Sequence, residues 1–498
     1  MMRWFCAVLG LCVLVCESVV AGTSFDRWYV ITLDDQRVGY SHTSETEHNG
    51  EVTTFTETRI SIRRGEDGLD ITQQLRFVET NQGEPLRAVS TMGLGRSPVQ
   101  TTYVFAETGI EMTIVQGDQK RVAYLPPVAG FWLTPAAAQR FTEQQMQAGQ
   151  KQISFRTIDI SMAPTAMDVD LSVVGEKMIA VLGKTVPAVE WEVTQSLLPG
   201  VVGRQFVDQE GRTRITRMDL GFGGLAVEMI EADEAVARTD VDPPEIMART
   251  LVRPDRGIEH PRLLRSALYE LKITGEEDLP SVSLPRGGYQ RVVWGDHRTA
   301  RVVVDLDSPV NPLDDLPSAE HQATSTVLNH NDQKLRQLIT EALGEDPLAL
   351  DPIEQSHRLR DFVHLYIEKK DLAIGFATAG EVARTAQGDC SEHAVLLAAM
   401  LRGVEIPSRT VSGLLYVEEF LGRIGVFGYH MWTQAWLPSP LGEHWVDLDA
   451  TLVDREFDAA HIALAYSSLS DRSMVNDLVA LAPLFDRLQV KVLEVADR

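Results

Sequence analysis

The chain is 498 residues long, more than a single hydrophobic core usually organises, so two or three domains are expected. Its composition, 44% hydrophobic and 23% charged, is that of an ordinary globular protein. The formal net charge of -25 disfavours nucleic acid and anionic lipid as partners, because a polyanion would be repelled over most of the surface.

The N-terminus has the pattern of a secretory signal peptide. A single charge at Arg3 precedes an apolar run from Trp4 to Cys16, and small residues follow it. The pattern predicts a signal over residues 1–22 that is cleaved near Ala21 or Gly22. The run is shorter than the roughly 20 apolar residues that a membrane span needs. The mature protein is therefore expected to be periplasmic or extracellular and not integral to the membrane.

The cysteines single out one residue. Of the four in the chain, Cys6, Cys12 and Cys16 lie in the predicted signal, so the mature protein carries Cys390 alone. An uncleaved anchor, or a lipoprotein signal that uses Cys12 or Cys16, remains as an alternative for the N-terminus. A lone thiol outside the cytoplasm forms no internal disulfide, so it is either buried and inert or kept for its reactivity.

Residues 23–240 are predicted to form a β-rich N-terminal domain. Short runs rich in Val, Ile, Thr, Tyr and Phe alternate with polar residues, from Trp28 to Thr32 through Leu225 to Ile230. Turn signals such as Asn-Gly and Glu-Asp-Gly separate them at hairpin-like intervals, which predicts antiparallel sheet. One helix is predicted from Thr134 to Gln147, and Val241 to Pro244 predicts a linker.

Three further segments follow this linker. They are predicted to be a small β module, a last domain, and a tail with a closing strand: 245–312, 318–470 and 471–498. A second linker is expected from Asp307 to Pro317, since it is rich in Pro and Asp. The closing strand falls at Leu488 to Val495. A fragment that starts near Ser318 is of a comfortable domain size and is expected to fold alone.

In the last domain, helices precede strands, which predicts an α+β fold. Helical periodicity marks the segments Asp332 to Leu343, Ile353 to Lys370, Ala379 to Gln387 and Ser391 to Arg402. The fourth segment is apolar on all sides from Ala394 to Leu401, which is typical of a buried central helix. Strands are then predicted at Arg409 to Val417, Val426 to Leu437 and His444 to Asp449.

These elements bring together residues suited to nucleophilic catalysis. Cys390 begins the buried helix, and a helix N-terminus favours the thiolate, which is the reactive form of cysteine. The general base is expected on another element, and His430 lies in the middle of a strand. A carboxylate should orient its imidazole. Asp447 and Asp449 share one strand face, so alternation does not choose between them.

Three ordered blocks carry a family resemblance. The first runs from Gly388-Asp389-Cys390-Ser391-Glu392-His393 to Gly403-Val404-Glu405-Ile406-Pro407-Ser408-Arg409. The second is His430-Met431-Trp432, and the third is the strand from Trp445 to Thr451. In order and spacing they resemble the nucleophile, histidine and aspartate blocks of the transglutaminase-like superfamily, over roughly residues 320–455.

The resemblance implies a papain-like core, helices followed by antiparallel sheet, preceded here by β-rich domains. It implies Cys390 as nucleophile and His430 as general base and acid. The aspartate of the family precedes a Pro-Thr pair, which corresponds here to Ala450-Thr451. The resemblance therefore favours Asp449 as the orienting carboxylate and leaves Asp447 as the second choice. It also implies attack on a carboxamide, in a Gln side chain or a peptide, and a thioester that passes to an amine or to water. The Cys390 backbone N–H is the expected oxyanion donor.

A protein or peptide substrate is thus the expected partner, and neither a metal nor a cofactor is predicted. Cys390, His393 and His430 could be considered as metal ligands, but the chain has no CxxC, HxxxH or HExxH spacing. The alternative function is a non-catalytic binding or scaffolding module of the cell envelope. The intact set of Cys390, His430 and Asp449 disfavours this alternative, since a degenerate site has little reason to keep all three.

The first testable prediction concerns the lone thiol. Iodoacetamide should modify the mature protein once, at Cys390, and faster than a model thiol between about pH 6 and 7, because the helix N-terminus and a nearby imidazole favour the thiolate. Mass spectrometry of the intact protein over time measures the rate. A rate no higher than that of the model thiol would mean that the site does not activate Cys390.

Overall fold

The computed structural model describes residues 24–497 except 94–97, 118, 162, 199–200, 220–225, 276–281, 311, 370–376, 441, 453–456, 471–483 and 485–486. The predicted signal peptide, residues 1–22, lies outside the described residues. Within the described part, no helix combines the length and the apolar character needed to cross a membrane. The described residues divide into two compact units: 24–63 with Gly68–Pro244, and Arg64–Asp67 with 245–497.

The N-terminal unit is one large sheet. Its strands are β1 Phe25–Leu33, β2 Gln36–His48, β3 Glu51–Arg64, β4 Asp67–Thr80, β5 Pro85–Gly93, β6 Val99–Ala106, β7 Gly109–Gln116, β8 Gln119–Leu125, β9 Gln152–Asp159, β10 Thr165–Val181, β11 Lys184–Gln195, β12 Val202–Asp208, β13 Thr213–Asp219 and β14 Ala226–Ala232. The helices are α1 Pro135–Gln147 and α2 Glu234–Ala237. The 14 strands run in the order β8 to β1, then β14 to β9, and β1 pairs antiparallel with β14.

This sheet confirms the prediction of an antiparallel β-rich region, but sequence signals found only part of it. Strands with strong alternation, such as β4 with its buried Leu69 and Ile71, were predicted. Strands β2 and β10 were not, because polar residues and a glycine interrupt their apolar pattern. Their pairing with neighbouring strands supplies the backbone hydrogen bonds that local propensity does not predict.

Among its described residues, the second unit contains two four-stranded sheets and four α-helices. Its elements are β15 Leu264–Ile273, β16 Gln290–Trp294, β17 Thr299–Asp305, α3 Gln333–Leu343, α4 Pro352–Tyr366, α5 Ala379–Thr385, α6 Cys390–Gly403, β18 Ser408–Phe420, β19 Arg423–Leu437, β20 His444–Leu448, β21 His461–Ser467 and β22 Leu488–Asp497. The first sheet has the order β16-β17-β15-β22 and the second β20-β19-β18-β21. Helices therefore precede the second sheet, as the α+β prediction required.

Helix α6 forms the core of this unit. Every residue from Glu392 to Arg402 is buried, and the helix packs against β18, β19, α4 and α5. The buried guanidinium of Arg402 closes its last turn by donating to the carbonyls of Ser408 and Ser468. Burial lowers the pKa of Arg402 to about 10, although the nearby Glu320 opposes the shift. The predicted central helix is confirmed, and the core holds its N-terminus in a fixed position.

The tail and the small β module belong to the same compact unit as the second sheet. Strand β22 pairs with β15 of the module, so it closes the first sheet and not the second. The hydroxyl of Tyr269 donates to the carbonyl of Ala459, and the side chain of Gln290 makes two hydrogen bonds with the backbone of Ala463. The segment predicted as a second linker is also fixed, since Arg409 donates to both carboxylate oxygens of Asp315.

This arrangement generates a prediction on fragments that differs from the expectation for a fragment starting near Ser318. Residues 245–498 should fold when expressed together, because both sheets are then complete. A fragment of residues 318–498 should be less stable, because β22 loses its partner β15 and Ala463 loses Gln290. Thermal unfolding followed by circular dichroism compares the two. Equal melting temperatures would show that the β module contributes nothing to the stability of the second sheet.

Candidate active site

Cys390 is the first residue of α6, where a network of polar groups fixes the chain. Asp389 caps the helix by accepting from the backbone N–H of Ser391 at 2.9 Å. Glu392 reaches back and accepts from the backbone N–H of Asp389 at 2.9 Å and from that of Ala377 at 2.8 Å. Burial and the neighbouring Asp389 raise the pKa of Glu392 well above its usual value. Glu392 therefore supports the helix N-terminus.

Gly388 is required by the turn into the helix. Its φ is 151°, a conformation that other residues rarely adopt. A Cβ atom at this position would lie 2.2 Å from Cβ of Glu392. The glycine thus allows the capping box of Asp389 and Glu392 to close directly behind Cys390.

A positive charge lies beside the capping residue. Arg64, in the segment Arg64–Asp67 of the same compact unit, donates a hydrogen bond to Oδ2 of Asp389. Burial disfavours the guanidinium, but the charges of Asp389 and Cys390 outweigh it and raise the pKa of Arg64 above its usual value. Sequence analysis missed Arg64, because 325 residues separate it from Asp389 and no local pattern marks it.

His430 lies on β19 and connects Cys390 to a carboxylate. Its Nε2 is 2.7 Å from Oδ2 of Asp449. Burial disfavours the imidazolium, but the Asp449 carboxylate and a hydrogen bond with the Cys390 side chain outweigh it and raise the pKa of His430 to about 9. Because Nε2 is used by Asp449, the nitrogen that remains for Cys390 is Nδ1. His430 thus interacts with the side chains of both other candidate residues, Cys390 and Asp449.

Asp449 is a buried carboxylate with four hydrogen-bond donors. Oδ1 accepts from the backbone N–H and the hydroxyl of Thr451 at 2.8 and 2.7 Å. Oδ2 faces Nε2 of His430 and, at 3.2 Å, Nε2 of His461. Burial would raise the pKa of Asp449, but His430 and His461 outweigh it and hold the pKa well below its usual value. Asp449 is therefore ionised and fixed in orientation.

Asp447 has a different set of partners. Its Oδ1 accepts from Nε1 of Trp432 at 2.6 Å and from Nε2 of Gln434 at 2.8 Å. Burial raises the pKa of Asp447 to about 6 despite these hydrogen bonds. The carboxylate that contacts His430 is thus Asp449 and not Asp447, a choice that strand alternation left open.

The tryptophans near the site are mostly structural. Trp432 and Trp445 are 2% and 1% exposed, so they are core residues and do not line an open cleft. Trp432 lies against Gly413, where a Cβ atom would be 2.5 Å from its ring. Trp436 is half-buried and packs edge-to-face on Trp445. Of the three, only Trp436 is accessible enough to meet a substrate.

One cluster has the residue types of a metal site. His430, Asp449 and His461 have nitrogen or oxygen atoms within 4.8 Å of one another, and it is the single such group among the described residues. Both imidazoles, however, direct Nε2 at the same carboxylate oxygen, so a hydrogen bond accounts for each of these atoms. Cys390 and His393, considered as ligands from the sequence, are not in the group. The arrangement is that of a proton network.

Comparison with known families identifies this part of the chain. Residues 345–450 match the sequence model of the Transglutaminase-like superfamily. They form a transglutaminase-like domain. The match includes Cys390, His430 and Asp449 and confirms the resemblance seen in the three sequence blocks. It ends at residue 450, before His461.

Other comparisons are less informative. No curated protein has a significantly similar sequence. A beta-barrel-like protein of a domain of unknown function from Brucella abortus is 14% identical, with a TM-score of 0.32 over 42% of this chain and 95% of that one. The periplasmic domain of TgpA from Pseudomonas aeruginosa is 13% identical, with a TM-score of 0.24 over 38% of this chain and 88% of that one. Each TM-score is below 0.5, so these likenesses say nothing about function.

The second carboxylate provides a matched control for a prediction on the transglutaminase-like domain. Asp449→Asn should lower turnover by roughly 10²- to 10⁴-fold, because His430 loses the charge that fixes its tautomer and stabilises its imidazolium. Asp447→Asn should be much milder, since Asp447 contacts Trp432 and Gln434 and not His430. The measurement is the rate of Cys390 alkylation and of peptide turnover in both variants. A larger loss of turnover in Asp447→Asn than in Asp449→Asn would show that Asp447, and not Asp449, orients His430.

Proposed function

We propose that this protein is an exported cysteine enzyme that cleaves carboxamide bonds through a thioester at Cys390 and transfers the acyl group to an amine or to water. The observation that carries the proposal is the line of three side chains. Cys390 lies at the N-terminus of α6, its side chain interacts with His430, and Asp449 accepts from Nε2 of His430. The transglutaminase-like match over residues 345–450 supports the proposal, because it includes all three.

The first half of the reaction forms the thioester. The Cys390 thiolate attacks the carboxamide carbon, and the negative charge moves to the carbonyl oxygen. The backbone N–H of Cys390, at the positive end of α6, is the proposed donor to this oxygen. The His430 imidazolium then donates its Nδ1 proton to the departing nitrogen, so ammonia leaves a glutamine side chain or an amine leaves a peptide.

The second half releases the acyl group. Neutral His430 removes a proton from an incoming amine or water, which attacks the thioester carbon. The carbon–sulfur bond breaks, and Cys390 returns as a thiolate beside the protonated imidazole. Asp449 keeps the imidazole oriented and stabilises its positive charge throughout. Since His430 has a pKa of about 9, its imidazolium persists at neutral pH, and activity should decrease as the pH rises through about 9.

Location and substrate belong to the same proposal. The predicted signal peptide supports export to the periplasm or beyond. The net charge of -25 supports a protein or peptide substrate over a polyanion. Cross-linking and hydrolysis share the thioester, and the choice between them depends on whether an amine outcompetes water at the site.

The test uses a glutamine-containing peptide, with and without a primary amine, followed by mass spectrometry. The expected product is the deamidated or cleaved peptide with water alone, and the amine adduct when the amine is added. A covalent peptide adduct on Cys390 should accumulate when the reaction is quenched in acid. Cys390→Ala, which keeps the fold but lacks the thiol, is the control.

The alternative function, a binding or scaffolding module, makes a different prediction. In that case neither the wild type nor Cys390→Ala would change any of a panel of glutamine peptides. Both would bind the same polymer of the cell envelope. If no peptide is turned over and Cys390 reacts no faster than a model thiol, the enzyme proposal is wrong and the binding module is favoured.

A further inference from the structure

A second buried histidine lies directly behind the proposed catalytic residues. His461 begins β21, beyond the end of the family match at residue 450, and its side chain is 0% exposed. Its Nε2 is 3.2 Å from Oδ2 of Asp449. Sequence analysis did not identify His461, because no local pattern marks its contact with Asp449.

The surroundings of His461 define its protonation. On one side, Nε2 faces the carboxylate of Asp449. On the other, Nδ1 faces the backbone carbonyl of Asp458 at 3.0 Å and Oδ1 of the same residue at 3.1 Å. All three oxygens are acceptors. A neutral imidazole has one nitrogen without a proton. The lone pair of that nitrogen would face the lone pairs of an oxygen, a repulsive contact that no solvent relieves in this buried site. Both nitrogens therefore carry protons.

The charges behind Cys390 then alternate. Asp458, which faces His461, is 1% exposed, and its Oδ2 lies 2.9 Å from a guanidinium nitrogen of Arg262. In the thiolate–imidazolium form of the proposed active site, the groups alternate in charge along the series Cys390, His430, Asp449, His461, Asp458 and Arg262. Three positive and three negative charges cancel, which is the condition under which buried ions are tolerated.

We propose that His461 is a positioning residue that is protonated at neutral pH, fixes Asp449 from the side opposite His430 and sets the proton affinity of His430. The inference deepens the proposed function, on which it rests, by assigning the regulation of its general acid and base. His461 does not touch the substrate. It acts through Asp449, whose Oδ2 it shares with His430.

The sign of the effect follows from the shared carboxylate. The rings of His430 and His461 lie 6.0 Å apart, so the positive charge of His461 opposes protonation of His430. A carboxylate that is shared by two cations also stabilises each of them less than it would stabilise a single cation. His461 thus moderates the strong attraction between Asp449 and His430 and holds the proton affinity of His430 below the level that an unshared Asp449 would give it, which eases the release of its proton.

Within the part of the chain that the structure describes, the charged groups facing His461 come from three segments. The loop before β21 contributes Asp458, β20 and the turn after it contribute Asp447 and Asp449, and β19 contributes His430. Arg262 acts on it through Asp458. The remaining walls are the rings of Trp432 and Phe457, at 5.2 and 4.2 Å between centroids. Burial disfavours the imidazolium, but Asp458 and Asp449 outweigh it and raise the pKa of His461 to about 9.

The first test reads the protonation directly and needs no activity. The full-length mature protein is labelled with ¹⁵N in its histidines, and the His461 signals are assigned by their loss in His461→Gln. At pH 7 both His461 nitrogens should show bound protons, and their shifts should change only as the pH approaches about 9. A neutral tautomer at pH 7 would overturn the proposal, whether or not the protein proves to be an enzyme. So would a metal ion bound one to one and retained after dialysis against a chelator.

The second test measures the consequence for His430 without a substrate. The rate of Cys390 alkylation by iodoacetamide should rise in two steps with pH, first when the thiolate–imidazolium pair forms and again when His430 loses its proton. In His461→Gln, whose neutral amide can still donate to Asp449, the second step should move upward by about one pH unit. His444→Gln is the matched control, since His444 is a buried histidine at the start of β20 and contacts neither Asp449 nor Asp458. It should leave the second step in place.

The outcomes of this test separate positioning from a purely structural role. A lower alkylation rate at every pH, with the second step unmoved, would overturn the proposal and leave His461 as a packing residue. An upward shift in a protein that turns over no peptide would support the charge assignment and count only against the proposed function.

A stability measurement keeps the proposal testable if His461→Gln folds poorly at high temperature. A histidine whose pKa is raised to about 9 contributes stability that is fully present below its unfolded value of about 6.5 and is lost as the pH rises through about 9. The melting temperature of the wild type should therefore fall more steeply between about pH 7 and 10 than that of His461→Gln. Parallel curves would contradict a charged His461.

Discussion

The arrangement of the second unit depends on one buried carboxylate, that of Asp449. An ionised carboxylate out of contact with water must be paired and fully hydrogen-bonded. Four donors meet this requirement: two from Thr451 on Oδ1, and two imidazoles on Oδ2. They come from β19, from the turn after β20 and from β21, so the carboxylate connects three separate parts of the chain. The turn itself is held from the helical side, where Nδ1 of His364 contacts the carbonyl of Ala450 at 2.9 Å.

The thiol is fixed by a second, independent constraint at the N-terminus of α6. The capping box of Asp389 and Glu392 satisfies backbone N–H groups that would otherwise be buried without partners. Gly388 permits the box to close, and Arg64 balances the charge of Asp389. Because α6 is buried from Glu392 to Arg402 and packs against β19, its N-terminus is held in position relative to that strand. The proposed nucleophile on α6 and the proposed base on β19 are thus held in position by packed elements, and neither side chain depends on a flexible loop.

Buried charge elsewhere in this unit follows the same rule. Arg409 lies between the rings of Trp445 and Tyr466, at 4.1 and 3.7 Å from their centroids, and is neutralised by Asp315. The segment containing Asp315 has the composition of a linker, yet this pair ties it to β18. Such pairs add little net stability compared with apolar residues, but removing one partner leaves an uncompensated buried charge. They therefore specify which segments pack together more than they stabilise the packing.

The sequence by itself determined the local features of this protein. Periodicity located α3 to α6 and the strands β18 to β20, and the spacing of three blocks selected Cys390 and His430, because these signals depend on residues close together in the chain. The tertiary structure decided the rest. Asp447 and Asp449 have the same parity, so strand alternation left the choice open and only the family resemblance favoured Asp449. The structure places the Asp449 carboxylate against His430, because β20 ends at Leu448 and the following turn aims the carboxylate there. The pairing of β22 with β15, and the contact of His461 with Asp449, were likewise decided by hydrogen bonds between distant segments, for which a single sequence carries no local pattern.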